Sequence, residues 1–481
     1  MKKEKGFLII IVLVFASISI AAIIGLISFT NINIMLARRA VVSEQAFQLA
    51  EAGLEYYRWH LAHDQNDFTD GGGAFPHLHN FYDRNGNLLG QYELTITPPI
   101  TGSTLVGMRS TGIPLTDPTV RRTVTSSLGK PSFARYALVS NSDMRFGQGT
   151  LVIGPTHSNG GIRFDGVAQN LVTSGVANYN DPDHTGNNEF GVHTHVNPPP
   201  GSGVNGTFRA NEAPPTNPVP NRPDVFLAGR RFPVPTVNFA GITADFTNLK
   251  SLAQSNGRYF ASSTAQGYQV TFNTNDTYTV HRVTSLRPAP NNCTNTAGQT
   301  GWGTWTASTT VLVGTYANPN NGVIYMEDHV WVEGQIDTAR VTLVAAATST
   351  GVQRSITVNN NLLYTNYDGQ DVISLIAENN INTGLFSLDN LRIDAALIAN
   401  SGRIGRYYYE ADCAPNNVRS TITLYGMIGS YLRYGYAYVD NTGYINRNLI
   451  YDASLLYAPP PSFPLTTNTY QIVSWQETIN D

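Results

Sequence analysis

The chain has 481 residues, a formal net charge of −4 and only 13% charged residues, while its 43 Gly and 26 Pro make up about one residue in seven. With 41% hydrophobic and 10% aromatic content it is the opposite of a disordered chain, and turn-rich β structure is expected. Five lysines, three of them Lys2, Lys3 and Lys5, leave no basic patch to neutralise phosphates, which argues against nucleic-acid binding.

From Phe7 to Phe29 there are 23 uncharged residues, 16 of them Phe, Leu, Ile or Val. At about 1.5 Å per residue this run spans roughly 35 Å, enough to cross the ~30 Å hydrocarbon core. The 16 apolar residues favour insertion by on the order of 8 kcal/mol. A cleaved secretory signal fits less well, because the run exceeds a normal apolar core and no small-residue cleavage site follows it. The lysines before the run set a cytoplasmic N-terminus against Arg38 and Arg39 after it, placing everything beyond residue 40 outside the cytoplasm.

The helical pattern continues past the membrane. Leu36, Ala40, Ser43, Phe47, Ala50, Leu54, Tyr57 and Leu61 recur at steps of four and three, one stripe with Ser43 as its polar member. Glu44, Gln48, Glu51, Glu55 and Arg58 follow the same steps on another face, with Glu55 and Arg58 placed for an i,i+3 ion pair. A transmembrane helix over 7–29 therefore continues as an amphipathic helix over 30–63, softened by Gly25 and Gly53.

Lys5-Gly6-Phe7 followed by a long apolar run resembles the leader and cleavage site of type IV prepilins, and Gln45 to Glu55, with Ala50-Glu51-Ala52-Gly53 at its centre, is similar to the start of PilX-type minor pilins. The likeness covers about the first 65 residues. It implies a leader over 1–6, prepilin peptidase cutting after Gly6, methylation of Phe7, and a helix seam of Leu36, Ala40, Phe47, Ala50, Leu54, Tyr57 and Leu61 that packs among other pilin subunits. The fifth mature position is Ile11, where such families carry Glu to meet a neighbouring subunit's terminal amine. That departure points to a minor component at the tip, which has no neighbour above it.

Residues 64–132 read as a small antiparallel head. Asp70-Gly71-Gly72-Gly73 and Asn85-Gly86 mark loop and turn, and Gln91 to Thr97, Thr104 to Thr111 and Arg121 to Leu128 are short alternating runs. Over 133–480 strands begin near Val323, Val341, Ile356, Val372 and Leu391, 15 to 19 residues apart, with alternate apolar positions and Asn-rich corners. A β-solenoid is the fold class that suits this pattern, beginning before residue 150; a β-sandwich is the competing reading. Residues 181–240 hold 11 prolines and read as a loop inserted between two sets of rungs, with a short helix over Leu249 to Ala253 after it.

Candidate chemistry is sparse. His184, His193 and His195, with Asp181 and Asp183, offer nitrogen and oxygen donors, as does His77-Leu78-His79, but neither set has a distant partner at a recognisable spacing. Both read as solvated loops, and no metal and no cofactor is expected. Asp371, Asp389 and Asp394 lie on or near rungs as ordinary corner residues, so no catalytic residue is assigned and no enzyme activity is expected. Cys293 and Cys413 either form a bridge closing a loop of about 120 residues or stand as two unpaired surface thiols. Tyr407, Tyr408, Tyr409, Tyr431, Tyr434, Tyr436 and Tyr438 read as cross-strand ladders, with an aromatic face for sugar or protein as the alternative.

The sequence is thus read as a single-pass inner-membrane protein that becomes part of an extracellular type IV pilus or related secretion filament. By the resemblance it acts in assembly initiation or tip display, with adhesion of the head to a surface glycan or protein. The alternative is a membrane-anchored β-helix that binds or cleaves polysaccharide.

Overall fold

A computed structural model describes residues 4–99, 103–347 and 351–478, without the side chains of 4–6 and 240–245. The chain divides into two compact units, one of Met1–Pro99, Leu105–Gly129 and Tyr470–Asp481, the other of Ile100–Thr104 and Lys130–Thr469.

No proline interrupts the chain between Phe7 and His63, and it forms one helix, Glu4–His63, of 60 residues, about 90 Å long. An 18-residue window of mean hydropathy 3.2, none of it buried, makes the helix long and apolar enough to cross a membrane. Its second half lies on an antiparallel sheet ordered His77–Tyr82, Leu88–Thr97, Val106–Pro114, Arg122–Gly129 and Gln471–Thr478. Along Leu88–Thr97 the period of two buries Tyr92, Leu94 and Ile96 against Leu54, Tyr57 and Leu61 of the helix.

The last strand corrects the sequence reading, which ran the solenoid to residue 480. Gln471–Thr478 pairs instead along Arg122–Gly129, from Ile472 on Leu128 to Thr478 on Thr123. The physical reason is the open edge that Arg122–Gly129 would otherwise present. Arg122 bonds Glu477 across 355 residues of chain, a separation that no local pattern records.

The second unit is a solenoid of parallel strands. One ladder runs Ile324, Leu343, Leu375, Leu397, Ile428, Leu138, Thr156, Val172, each residue beside the next in register. A second runs Tyr268, Val330, Ile356, Ile381, Ile404, and a third Leu362, Ile393, Leu424, Leu449, Val152, Ala168. Parallel pairing excludes the antiparallel sandwich for these strands. Leu375 is fully buried, and Leu375→Ala is expected to cost about 3 kcal/mol in chemical denaturation of the full chain.

One expectation changes here, and the stacking adds a feature the sequence reading did not address. The spacing of 15 to 19 residues counted strands of different faces, because Ile356 belongs to the second ladder. The chain also enters the stack in its middle: Leu138 sits on Ile428, the early rungs build away from there, and the rungs from Arg258–Phe260 onward climb back to it. Entry and exit lie side by side, with Ser132 bridged to Leu465.

The Pro-rich 181–240 segment is not simply a loop outside the rungs. Val192–His193 stacks on Ile162–Arg163 and Arg230–Arg231 on Val172–Thr173, so short pieces of it extend the solenoid. The helix expected over Leu249 to Ala253 is longer, Ala240–Ser255. Gly267–Asn273, Thr277–Leu286 and Ala307–Ala317 form an antiparallel excursion that the sequence reading did not identify.

Candidate functional site

Among the described residues, the helix presents a long run of exposed apolar side chains. Every residue from Phe7 to Val41 is exposed, Phe7 at 69% and Phe29 at 66%. A helix this apolar with no cover requires lipid or other helices around it. Gly6 and Phe7 lie on its first turns, while residues 1–3 of the expected leader lie outside the described residues. Ile11 is part of the exposed apolar surface.

The seam expected to meet neighbouring subunits is split. Leu36 and Ala40 are exposed, but Ala50, Leu54, Tyr57 and Leu61 are buried against the unit's own sheet, and Phe47 packs edge-on against Trp475. This corrects the reading of Phe47 to Leu61 as an intersubunit surface. The small residues of the Ala-Gly-rich stretch explain the contact. A Cβ on Gly53 would lie 2.2 Å from Ser110 Oγ, and one on Gly112 would lie 1.8 Å from the Ala46 carbonyl oxygen. Helix and strand therefore touch backbone to backbone. Glu55 and Arg58 form the expected i,i+3 pair at 2.7 Å on the exposed face.

The second concentration of chemistry is buried. His184, His193 and His195 are not in a solvated loop, as expected, but have side chains 5%, 0% and 0% exposed. Glu189 begins a two-residue strand, His193 ends the rung piece Val192–His193, and His195 follows two positions on, so period two sends both imidazoles inward. Glu189 Oε2 lies 3.0 Å from His184 Nε2 and 3.1 Å from His193 Nε2, and Glu189 Oε1 lies 2.9 Å from His195 Nε2. Asp181 Oδ2 lies 3.4 Å from His184 Nε2 and 3.6 Å from His193 Nε2. The five residues bring one donor atom each within 4.8 Å of all the others, a set that could hold a metal ion.

The rung beneath completes the cluster. Arg163, beside His193 in register, donates from Nε to Asp165 at 2.7 Å and from Nη1 to Asp181 at 3.4 Å. Burial alone would raise the carboxyl groups of Asp181 and Glu189. The histidine contacts, with Arg163 beside Asp181, outweigh it and hold both well below the usual carboxylate range. Burial likewise opposes charge on His193, but the two carboxylates prevail and raise it. Glu189 was missed from sequence, although its place five residues after His184 and four before His193 was a usable signal. Asp183 is not in the cluster and pairs instead with Arg145 and Arg433.

The remaining candidates are tied locally. His77 and His79 share Asp70 Oδ2 at 3.2 and 2.8 Å, and Tyr56 donates its hydroxyl to the other oxygen. Asp371 accepts the N–H groups of Thr365 and Asn366, Asp389 caps Ser420, and Asp394 takes Arg392, Tyr364 N–H and Tyr367. Burial raises the Asp394 carboxyl. Tyr407, Tyr409, Tyr434 and Tyr436 are buried and present no aromatic face; Tyr431 is exposed, and Tyr408 packs on Tyr438. Cys293 and Cys413 are buried and joined as a disulfide, so they are not surface thiols.

No protein-family model matches the chain, and no curated protein does. Among solved structures the chain is similar to the crystal structure of competence-associated pilin ComZ from Thermus thermophilus. The two share 14% identity over 91% of this chain and 98% of that one, with a TM-score of 0.29. A superposition that loose carries no inference about this chain.

Proposed function

We propose that this chain is a membrane-anchored, pilin-like filament subunit, a minor component that initiates assembly or displays its β-rich head at the tip of a type IV pilus or related filament. The observation that carries the reading is the 60-residue helix: apolar and exposed through Val41, then clamped by small residues to a small antiparallel sheet. The exposed half serves first as an inner-membrane span and then as packing surface for the helices of other pilin subunits. Lys5-Gly6-Phe7 supplies the processing site for a prepilin peptidase. The solenoid, inserted between the fourth and fifth strands of the small sheet, is the part offered to a surface glycan or protein. The role is structural and involves no reaction.

The mass of the N-terminal peptide recovered from the cell envelope tests this. A peptide beginning at methylated Phe7 is expected. An intact Met1 terminus would make the helix a permanent anchor and remove the filament role.

A further inference from the structure

Independently of the filament role, we infer that Asp181, His184, Glu189, His193 and His195 form a closed structural site for one divalent transition-metal ion, with zinc the best-fitting occupant. Ring orientation and burial carry the argument. His184 Nδ1 lies 3.3 Å from the Thr185 carbonyl oxygen, His193 Nδ1 3.3 Å from that of Phe190, and His195 Nδ1 2.7 Å from that of Asn205. A carbonyl oxygen only accepts, so each Nδ1 carries a proton and each ring turns its Nε2 inward, where it can ligate a cation once that nitrogen is unprotonated. Three Nε2 atoms then converge on the Glu189 carboxylate at 2.9 to 3.1 Å, with Asp181 at 3.4 and 3.6 Å from two of them, a buried arrangement that either protons on Nε2 or one shared cation can hold. Anchoring the distal ring nitrogen on a backbone carbonyl is how metal-binding imidazoles are held.

A second observation is independent of the tautomers. His193 Nε2 is fully buried and aimed into the cluster, yet makes no hydrogen bond of acceptable geometry, although Glu189 is 3.1 Å away. Charge points the same way. Asp165, Asp181 and Glu189 bring three negative charges to the buried cluster and Arg163 one positive charge, and because metal binding displaces any proton on Nε2, a divalent ion there makes the sum zero. The donor atoms all lie within 4.8 Å of one another, close enough for one ion to draw them in to the about 2.0–2.2 Å of zinc coordination. Three nitrogen donors disfavour calcium and magnesium, and the absence of thiolate disfavours copper(I).

Side chains 0–5% exposed leave no open coordination position, so the ion is structural rather than catalytic. It ties down the start of the Pro-rich segment: Asn205 accepts from His195, and the Arg209 N–H donates to Glu189 at 2.8 Å, so the returning limb rests on the ligands themselves.

The test uses the full chain in detergent, purified with a tag free of histidine, stripped with a chelator, reconstituted with zinc chloride and desalted. About one zinc per chain is expected, and cobalt chloride in its place should give visible d–d bands of a nitrogen–oxygen site. His193→Ala should lose the ion, while His77→Ala with His79→Ala should keep it. Below about 0.1 zinc per wild-type chain, with no cobalt bands, overturns the proposal, as does loss of the ion in the His77/His79 variant. The wild-type cobalt spectrum decides the matter even if His193→Ala does not fold.

Discussion

Leu54→Asp is expected to unfold the helix–sheet unit, whereas Leu36→Asp is expected to leave it folded and stop incorporation into filaments. Leu54 is 7% exposed among Tyr57, Tyr92 and Leu94, so its loss removes about 3 kcal/mol of packing and strands a carboxylate in apolar surroundings. A total of ~5 kcal/mol or more meets the whole stability of an ordinary domain. Leu36 is 56% exposed, and a substitution there changes unit stability by less than about 0.5 kcal/mol. Thermal unfolding of the full chain in detergent, set beside the amount of protein in sheared filaments, separates the two. A folded Leu54→Asp protein would disprove the internal packing; normal incorporation of Leu36→Asp would remove Leu36 from the assembly surface.

Gly112→Val is expected to destabilise the same unit by about 3 kcal/mol, with Gly25→Ala as its silent counterpart. At Gly112 the added carbon meets the Ala46 carbonyl oxygen at 1.8 Å and the Ala50 nitrogen at 2.7 Å, and helix backbone cannot swing aside as a side chain does. The helix must lift from the strand, dragging Leu54 and Tyr57 out of the core. At Gly25 nothing lies within 4 Å. Equal melting temperatures for wild type and Gly112→Val would show that the helix does not approach the sheet this closely.

The helix was legible from sequence because its signals are local: an apolar run, a four-and-three stripe and no proline. The stripe's partner was not, since a buried seam looks the same whether it faces a neighbouring subunit or the chain's own sheet; the contacts of Gly53 and Gly112 decide that. Rung strands were legible through their alternation. Their assignment to faces was not, because Ile356 and Val341 alternate alike but stack on different ladders. In the cluster, the spacing of His193 and His195 was visible, but burial was misjudged because a proline-dense segment reads as solvated.

By itself the sequence determined the helix, the half of it apolar enough to cross a membrane and the β-rich, rung-forming character of the rest, all properties set by residues a few positions apart. Tertiary structure alone decided that Leu138 stacks on Ile428, that Gln471–Thr478 closes the edge of the small sheet, that Cys293 meets Cys413, and that Arg163 lies under His193. Backbone hydrogen bonding and burial reward these partners for their geometry, whatever the length of chain between them, and a linear pattern carries no record of that choice.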